Sequence, residues 1–218
     1  MTLRVIIAAR GGGEAKSRLA ARLDPRQRAA LAQAMLADML EALSHCPAAE
    51  RIYVATPTPD LARIAAAAGA VVMLEAGPSG LNAAFESARR RLSAHDPSGQ
   101  LALLPGDLPR LTAAEFGKAA ALARDGAVVV APALCDGGTG AIVQPAGLAL
   151  PLAFGPESFR RHCEAAAALG ATVHSPALAG LGFDLDRPDD LDRLAASRTQ
   201  GRTAALARAF TFATGAAA

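Results

Sequence analysis

Cysteine and histidine, which supply most zinc sites and many catalytic nucleophiles and bases, are scarce in this chain. The three cysteines, Cys46, Cys135 and Cys163, are odd in number and widely spaced, which argues against a disulfide framework and a thiolate zinc site. The four histidines have no zinc-binding spacing, and there is no Gly-x-Ser-x-Gly elbow. The sequence therefore favours a reaction that depends on positioning and charge neutralisation over covalent catalysis.

A large excess of charge and a long apolar run are also absent. The formal net charge is +2 over 218 residues, and the basic residues are dispersed, unlike the basic stripe of a nucleic-acid-binding surface. No uncharged apolar stretch reaches membrane-spanning length, and the first run, Val5 to Ala9, is too short for a signal-peptide core. We expect a cytoplasmic protein that binds neither nucleic acid nor membrane.

Alternating strand and helix patterns indicate the fold class. The length and a hydrophobic content of 52% suit one substantial core. About seven short β-branched runs alternate with amphipathic segments, which predicts a single α/β domain of three layers around a mostly parallel sheet. Strands are predicted over 3–9, 51–56, 70–74, 101–104 and 127–133, in GGTGAIVQP and in ATVHS. Helices are predicted from Asp24, over 60–68, 81–92 and 112–123, in PESFRRHCEAAAALG and in PDDLDRLAAS.

Local signals mark two helix starts and a change of pattern near the end. Asp24 and Gln27 have the spacing of a capping box around a proline at the first helical position, and Thr112 and Glu115 have the same spacing. From Thr199 the patterning is weak. We therefore expect a folded domain over residues 1–198 and a frayed C-terminal tail over residues 199–218.

The segment LLPGDLP places Asp107 directly after an apolar strand. In open α/β sheets, ligands bind beyond the carboxyl ends of the strands, and Gly106 allows the backbone to approach a ligand. An Asx-turn or a helix cap is the alternative role for this aspartate. Because Thr112 and Glu115 already supply the next helix cap, we favour a metal-binding carboxylate.

A second acidic segment, FDLDRPDDLDRL, carries two aspartates on one side of an extended chain. Asp184 and Asp186 are two residues apart, and Phe183 and Leu185 would face the opposite, apolar side. Two adjacent carboxylates repel each other unless a cation lies between them. A solvated loop before a helix is the alternative.

The sequence contains the ligands of a magnesium site. Mg²⁺ prefers one or two carboxylates together with substrate phosphates and water, and Asp107, Asp184 and Asp186 fit this pattern. Asp189 and Asp190 instead follow a proline in a first helical turn, where negative charge complements the helix dipole. We therefore leave these two aspartates outside the predicted site.

Two kinds of glycine-rich segment could bind phosphate groups. The loop RGGGEAKSRLA has three glycines followed by Lys16 and Arg18, and it suits a triphosphate although it matches neither a Walker A loop nor Gly-x-Gly-x-x-Gly. The turns DGGTGA and FGPESF place Gly138, Thr139 and a helix start near a second anion. A solvated surface loop, a hairpin turn and an ordinary helix cap are the alternatives.

Six segments lie in order within the region from about Leu3 to Leu194: AKSRLA, GLNAA, LLPGDLP, DGGTGA, FGPESFRRH and FDLDRPDDL. Together they resemble the 2-phospho-L-lactate guanylyltransferase family of coenzyme F-420 biosynthesis. The resemblance implies a nucleotidyltransferase-like fold. It also implies transfer of GMP from GTP to a small phosphorylated carboxylic acid, with release of pyrophosphate. Candidate acceptors are phosphoenolpyruvate, 3-phospho-D-glycerate and 2-phospho-L-lactate.

The resemblance also implies residue roles, and it leaves two alternatives open. It implies metal binding by Asp107, Asp184 and Asp186, acceptor binding by Thr139, Gly155 and Ser158, and nucleotide binding by Lys16 and Asn82. The run Gly11 to Gly13 departs from the more substituted loop that the family leads us to expect. The alternatives are a nucleotidyltransferase for molybdenum cofactor or a sugar phosphate, and a non-catalytic nucleotide-binding regulator.

Overall fold

The computed structural model describes residues 3–11, 16–75, 77 and 80–215, which form seven strands and eight α-helices in alternation. The predicted α/β class is confirmed. The strands are β1 (Leu3–Ala8), β2 (Arg51–Thr56), β3 (Val71–Leu74), β4 (Gln100–Pro105), β5 (Val128–Pro132), β6 (Thr139–Pro145) and β7 (Val173–His174). The helices are α1 (Pro25–Ser44), α2 (Pro59–Ala67), α3 (Leu81–His95), α4 (Ala113–Leu122), α5 (Ser158–Ala168), α6 (Ala179–Gly182), α7 (Pro188–Ala196) and α8 (Arg202–Gly215).

The strands form one mostly parallel sheet in the order β3-β2-β1-β4-β6-β5-β7. Strand β1 lies between β2 and β4 and is parallel to both, β2 is parallel to β3, and β5 is parallel to β7. Strand β6 runs antiparallel to β4 and to β5. The carboxyl ends of β1 and β4 therefore emerge at the same edge, where a ligand site is expected.

Helices cover both faces of the sheet and complete the three predicted layers. Alternate side chains of β1 point to opposite faces, as strand geometry requires. Val5 and Ile7 belong to a core with α1, α2 and α4, whereas Ile6 belongs to a second core with α3 and α5. Both cores are built from fully buried aliphatic and aromatic side chains, including Phe116 on the first face and Phe85 on the second.

The reversed direction of β6 positions the second half of the site. Because β6 is antiparallel to its neighbours, its first residue, Thr139, lies at the edge where the parallel strands end. Thr139 pairs with Pro132, the last residue of β5, and Pro105 ends β4 at the same edge. The turn DGGTGA is thereby placed beside the loop that carries Asp107.

One of the two predicted capping boxes is complete and the other is half-formed. At the start of α1, the Gln27 amide donates to Asp24 Oδ1 at 2.9 Å, and the Asp24 amide donates to Gln27 Oε1 at 2.9 Å. At α4, the Glu115 amide donates to Thr112 Oγ1. The Glu115 carboxylate accepts instead from the Gly180 amide of α6 at 2.8 Å, because this short helix, which the sequence did not indicate, packs there.

The prediction of a frayed tail is wrong for most of residues 199–218. Residues Arg202–Gly215 form α8, which packs against α1 and α7. Ala204 and Ala207 are buried in a third apolar cluster with Leu191 and Leu194. The Asp38 carboxylate of α1 accepts from the first amides of α8 and holds its start in place.

None of the described helices is long and apolar enough to cross a bilayer.

Candidate functional site

Asp107 lies where β4 ends, and its loop is held on both sides by backbone hydrogen bonds. The Gly106 amide donates to the Ala8 carbonyl at the end of β1. A Cβ at position 106 would lie 2.7 Å from the Cβ of Ala9, so only glycine fits this approach. The Leu185 amide donates to the Asp107 carbonyl at 3.2 Å. These contacts bring the predicted acidic segment against the predicted aspartate loop.

The segment before α7 has the two-sided arrangement that the sequence predicted. Phe183 and Leu185 are buried, whereas Asp184 and Asp186 are partly exposed on the other side. The expectation that Asp190 acts only through the helix dipole is wrong. Asp190 is buried, and its Oδ2 accepts from the amides of Asp186 at 3.2 Å and of Arg187 at 2.8 Å. This carboxylate therefore holds the backbone that presents Asp186.

Lys16 lies between two of the three aspartates. Its ammonium Nζ is 2.7 Å from Asp107 Oδ2 and 2.6 Å from Asp186 Oδ1, and its side chain is 10% exposed. The backbone of Lys16 is left-handed, with φ 54° and ψ 44°, a strained conformation that occurs preferentially at functional sites. Arg18 adds a longer contact of 3.3 Å to Asp186 Oδ2. Residues 12–15 of the predicted phosphate loop lie outside the described residues.

The aspartates contain two buried oxygens that fit a bound cation. Asp107 Oδ1 and Asp184 Oδ1 are buried and have no hydrogen-bond partner among the described residues. Leaving such atoms unpaired costs free energy, and a cation would satisfy them. In the described part of the chain, no three acidic, histidine or cysteine side chains alone form a metal site. A cation here would need further oxygens from substrate or water, as Mg²⁺ usually does.

The ionisation of these groups reflects their crowding. Burial, together with the neighbouring Asp107 and Asp186 carboxylates, raises the pKa of Asp184 to about 6. Burial alone would raise the pKa of Asp186 as well, but the Lys16 ammonium outweighs this effect and lowers it. For Lys16, burial would lower the pKa, and the two aspartates outweigh burial and raise it. In contrast to Asp186, whose charge is stabilised by Lys16, Asp184 has a negative charge that the surrounding protein disfavours.

Two adjoining cavities open at this edge of the sheet. One, which we call the basic cavity, has a volume of about 290 Å³, and its polar lining after β1 consists of Arg10, Lys16, Ser17 and Arg18. The other, which we call the hydroxyl cavity, has a volume of about 170 Å³, and its polar and glycine lining includes Asp136, Gly138, Thr139, Gly155 and Asp184. Asp107 and Asp186 line both cavities. These two carboxylates therefore lie between a pocket with three basic side chains and a smaller pocket that also carries Asp136, Asp184 and Arg18.

The predicted acceptor residues come together around the hydroxyl cavity. Thr139 and Ser158 are both buried, and the Ser158 hydroxyl donates to Thr139 Oγ1 at 2.9 Å. Gly155 has φ 138°, in a region of the backbone map that glycine favours. Within the described residues, no protein acceptor for the Gly155 amide is present, so this N–H is available to a ligand.

The other backbone amides predicted for this anion site are already used. The Gly138 amide donates to Asp136 Oδ1 at 2.9 Å. At the start of α5, three successive amides donate to backbone carbonyls of neighbouring turns, and the donors are Glu157, Ser158 and Phe159. The sequence predicted that an anion binds at this helix start, but these three amides already have acceptors in the protein, because the turns before α5 fold back onto them.

Asn82 has a different environment from the predicted nucleotide contact. Its Nδ2 donates to the Phe154 carbonyl at 3.1 Å, and its Oδ1 accepts from the Phe154 amide at 2.7 Å. Both ends of the side-chain amide thus pair with one backbone unit. In the structure, Asn82 therefore fixes the loop that leads to Gly155, and its contact with a nucleotide stays a prediction.

Sequence reasoning gave no role to His162, which lies behind the hydroxyl cavity. The signal was present, because Ser158 and His162 are four residues apart on a helix and such residues share one face. The ring of His162 is completely buried and packs on the Phe154 ring at a centroid distance of 5.1 Å.

A larger groove of about 670 Å³ lies elsewhere, between α1, α4 and the residues before α8. Its carboxylates already have partners in the protein. Asp38 accepts from the amides of Arg202 and Thr203, and Glu115 accepts from the Gly180 amide. We therefore assign the site to the edge of the sheet, where buried carboxylate oxygens lack partners.

Replacing Asp184 with asparagine is expected to stabilise the metal-free protein at pH 8 by roughly 1–2 kcal/mol. The folded chain holds the Asp184 proton up to about pH 6, whereas the ordinary pKa of an aspartate is 3.8. The charge at Asp184 therefore lowers the free energy of unfolding as pH rises through this window, and asparagine avoids that loss. Urea denaturation with a chelator at pH 4 and pH 8 measures the effect, which should be present only at pH 8.

The control for this experiment is Asp189→Asn, at an exposed position in the first turn of α7. This change should give no stabilisation at pH 8. A lower free energy of unfolding for Asp184→Asn at pH 8 would contradict the electrostatic account of Asp184.

Comparison with known proteins identifies similar guanylyltransferases. A 3-phospho-D-glycerate guanylyltransferase from Phenylobacterium zucineum is 44% identical over 201 residues, covering 91% of this chain and 92% of the relative. A phosphoenolpyruvate guanylyltransferase from Rubrobacter xylanophilus is 40% identical over 185 residues, covering 84% of this chain and 88% of the relative.

The fold and the family are likewise matched over most of the chain. The structure of a nucleotidyl transferase from Methanothermobacter thermautotroptrophicus aligns with a TM-score of 0.68 at 16% identity, covering 88% of this chain and 95% of that one. This likeness supports the nucleotidyltransferase-like fold. The model of the family described as guanylyl transferase CofC like matches residues 3–213. The chain therefore belongs to the CofC-like guanylyl transferase family.

Proposed function

We propose that this enzyme transfers GMP from GTP to the phosphate of a small phosphorylated carboxylic acid and releases pyrophosphate. The single observation that carries the proposal is the position of Asp107 and Asp186 between the basic cavity and the hydroxyl cavity. A nucleotidyl transfer needs this layout, because a triphosphate and an anionic acceptor must meet at a centre that offsets their charge. The names of the relatives support guanylyl transfer to phosphoenolpyruvate or 3-phospho-D-glycerate.

The triphosphate of GTP suits the basic cavity. Lys16, Arg10 and Arg18 line it, and these side chains neutralise phosphate oxygens well. Without substrate, the Lys16 ammonium is bound to Asp107 and Asp186. We infer that Lys16 turns from the aspartates to the triphosphate when GTP and the cation bind. The aspartates then gain a cation in exchange for the ammonium.

Asp107, Asp184 and Asp186 would hold the cation, which we propose is Mg²⁺. The unpaired oxygens of Asp107 and Asp184 fit such an ion. When bound, Mg²⁺ supplies charge neutralisation of the triphosphate and of the leaving pyrophosphate. The ligand oxygens that the three aspartates do not provide would come from the phosphates and from water.

The reaction needs no nucleophile from the protein. A phosphate oxygen of the acceptor attacks the α-phosphorus of GTP and forms the new P–O bond. The bond between the α-phosphorus and its bridging oxygen to the β-phosphate breaks, and pyrophosphate leaves with the electron pair. The side chains hold the two substrates in line, and Lys16 offsets the charge of the triphosphate.

The volume of the hydroxyl cavity favours a small acceptor. At about 170 Å³ it is smaller than the roughly 300–1,000 Å³ of pockets for drug-sized ligands. A three-carbon phosphorylated acid suits this volume better than molybdopterin does. Phosphoenolpyruvate, 3-phospho-D-glycerate and 2-phospho-L-lactate remain the candidates, and we propose that the product serves coenzyme F-420 biosynthesis, as the resemblance to the family implies.

We expect a GMP-linked product when the enzyme is incubated with GTP, Mg²⁺ and one of these three acids. Mass spectrometry of each mixture identifies the product, and pyrophosphate release gives its rate. Parallel reactions with ATP, CTP and UTP measure the preference for the guanine nucleotide. Product with a sugar phosphate or molybdopterin, and none with the three acids, would contradict the proposal. Absence of pyrophosphate release with every pair would favour the non-catalytic regulator.

A further inference from the structure

His162 bonds to both sides of the hydroxyl cavity. Its Nδ1 is 2.8 Å from Thr139 Oγ1 at the start of β6, and its Nε2 accepts from the Ala153 amide at 2.9 Å. The imidazole thus connects the strand that carries one cavity residue to the loop that leads to Gly155. Asn82 holds the next residue of this loop, Phe154, through two hydrogen bonds.

The contact with Ala153 determines where the imidazole proton lies. A backbone N–H can only donate, so Nε2 must be the unprotonated acceptor. The proton of the neutral ring is therefore on Nδ1, and this N–H donates to Thr139 Oγ1. Burial lowers the pKa of His162 to about 4, and the charge of Arg161 contributes to this shift. The ring is consequently neutral near pH 7, as the two hydrogen bonds require.

The hydrogen bonds around Thr139 leave one hydroxyl proton without a partner. Thr139 Oγ1 accepts from His162 Nδ1 and from the Ser158 hydroxyl, which together occupy both oxygen lone pairs. In the described part of the chain, the Thr139 hydroxyl has no protein acceptor for its own proton. If the Thr139 hydroxyl donated to Ser158 instead, the Ser158 hydroxyl proton would lack a partner. In either arrangement, one of the two hydroxyl protons is without a protein acceptor among the described residues.

This spare proton is one of few donors available to an anion in the hydroxyl cavity. Thr139 lines the cavity, and the amides of Gly138 and of the start of α5 are already bonded to protein oxygens. Arg18 also lines the cavity, and the Gly155 amide is a further donor there for which no protein acceptor is present among the described residues. A hydrogen bond from this hydroxyl to a charged oxygen is therefore expected to contribute strongly to acceptor affinity.

We propose that His162 is a positioning residue of the acceptor site, which keeps one hydroxyl proton of the Thr139–Ser158 pair directed at an anionic oxygen of the acceptor. The imidazole does this by donating to Thr139 while it accepts from Ala153. This inference rests on the proposed function, because it takes the hydroxyl cavity as the place where the phosphorylated acid binds.

Two substitutions of His162 separate its two hydrogen bonds. In His162→Asn, the side-chain amide nitrogen takes the place of Nδ1, so donation to Thr139 is retained and the bond from Ala153 is lost. In His162→Gln, the side-chain oxygen reaches the place of Nε2, so the bond from Ala153 is retained and donation to Thr139 is lost. If the role of His162 were purely structural, the two variants would have similar Michaelis constants for the acid. Alternatively, His162→Asn, which loses the bond from Ala153, would have the higher constant.

The expected result is a selective change in the Michaelis constant for the acid. His162→Gln should raise this constant by roughly tenfold or more, because Thr139 then accepts from the Ser158 hydroxyl alone and its own proton is no longer held toward the acceptor. His162→Asn should raise it by less than about threefold. The Michaelis constant for GTP should stay near the wild-type value in both. In a Thr139→Val background, His162→Gln should add little, since the hydroxyl through which it acts is already missing.

The outcomes separate this proposal from the proposed function. If the wild-type enzyme uses none of the acids, the proposed function fails, and direct calorimetry of inorganic phosphate with the same variants then tests His162. Equal constants for the two variants, or a larger effect for His162→Asn, would overturn the inference. If His162→Gln does not fold, as judged by circular dichroism, Thr139→Val tests the same proton, and an unchanged constant for the acid in that variant would overturn the inference.

Discussion

Replacing Asp107 or Asp186 with asparagine is expected to lower the rate of GMP transfer on the order of a thousandfold or more. Both carboxylates lie between the two cavities, and a neutral amide cannot balance the charge of a divalent cation. The measurement is pyrophosphate release at saturating GTP and acid, with circular dichroism to establish that each variant folds.

The matched control is Asp189→Asn, which removes a carboxylate from an exposed position of α7. It should retain nearly the full rate of transfer. Asp190→Asn is unsuitable as a control, because Asp190 accepts from the Asp186 and Arg187 amides. A wild-type rate in Asp107→Asn or Asp186→Asn would contradict the assignment of the metal site.

Replacing Lys16 with alanine is expected to raise the Michaelis constant for GTP by roughly 30- to 100-fold. The constant for the acid should change by less than about threefold, since the ammonium is proposed to meet the triphosphate. Steady-state kinetics with each substrate varied in turn measures both constants. Mg²⁺ must be saturating in these assays, because the variant also loses the cation that offsets Asp107 and Asp186.

Lys118→Ala is the matched control, because Lys118 is exposed on α4 and its removal deletes the same charge away from the cavities. Both Michaelis constants should then stay at the wild-type values. A selective increase in the constant for the acid in Lys16→Ala would mean that the two anion sites are assigned the wrong way round.

The elements that the sequence predicted best are those with strong local signals. Helix α1 begins at a complete capping box between Asp24 and Gln27, which involves residues three apart and needs no distant contact. Strand β1 is a short apolar run that lies in the middle of the sheet, so its burial was readable from composition alone. The position of Asp107 followed from the rule that ligands bind beyond the carboxyl ends of the strands. The shared side of Asp184 and Asp186 followed from their spacing of two residues in an extended segment.

The features that could not be predicted depend on contacts between distant segments. Helix α8 has weak patterning of its own, and its order comes from packing on α1 and α7 and from Asp38, more than 160 positions earlier in the chain. The sequence does not reveal that the Asp136 and Gly137 carbonyls accept from the amides at the start of α5. It does not reveal the pairing of Asn82 with the Phe154 backbone either, since the two residues lie 72 positions apart.

The bond between Lys16 and Asp186 joins residues that are 170 positions apart in the chain. This separation determines the order in which the parts of the cation site come together during synthesis. A ribosome delivers the N-terminal segments first, at roughly 5–20 residues per second. Lys16 and Asp107 can therefore meet seconds before Asp184 and Asp186 emerge. Until then the nascent chain has one carboxylate for the ammonium and no Leu185 amide for the Asp107 carbonyl. The cation site is thus completed only after residue 186 has been made, so a chain that stops before it would hold a lysine–aspartate pair but no complete cation site.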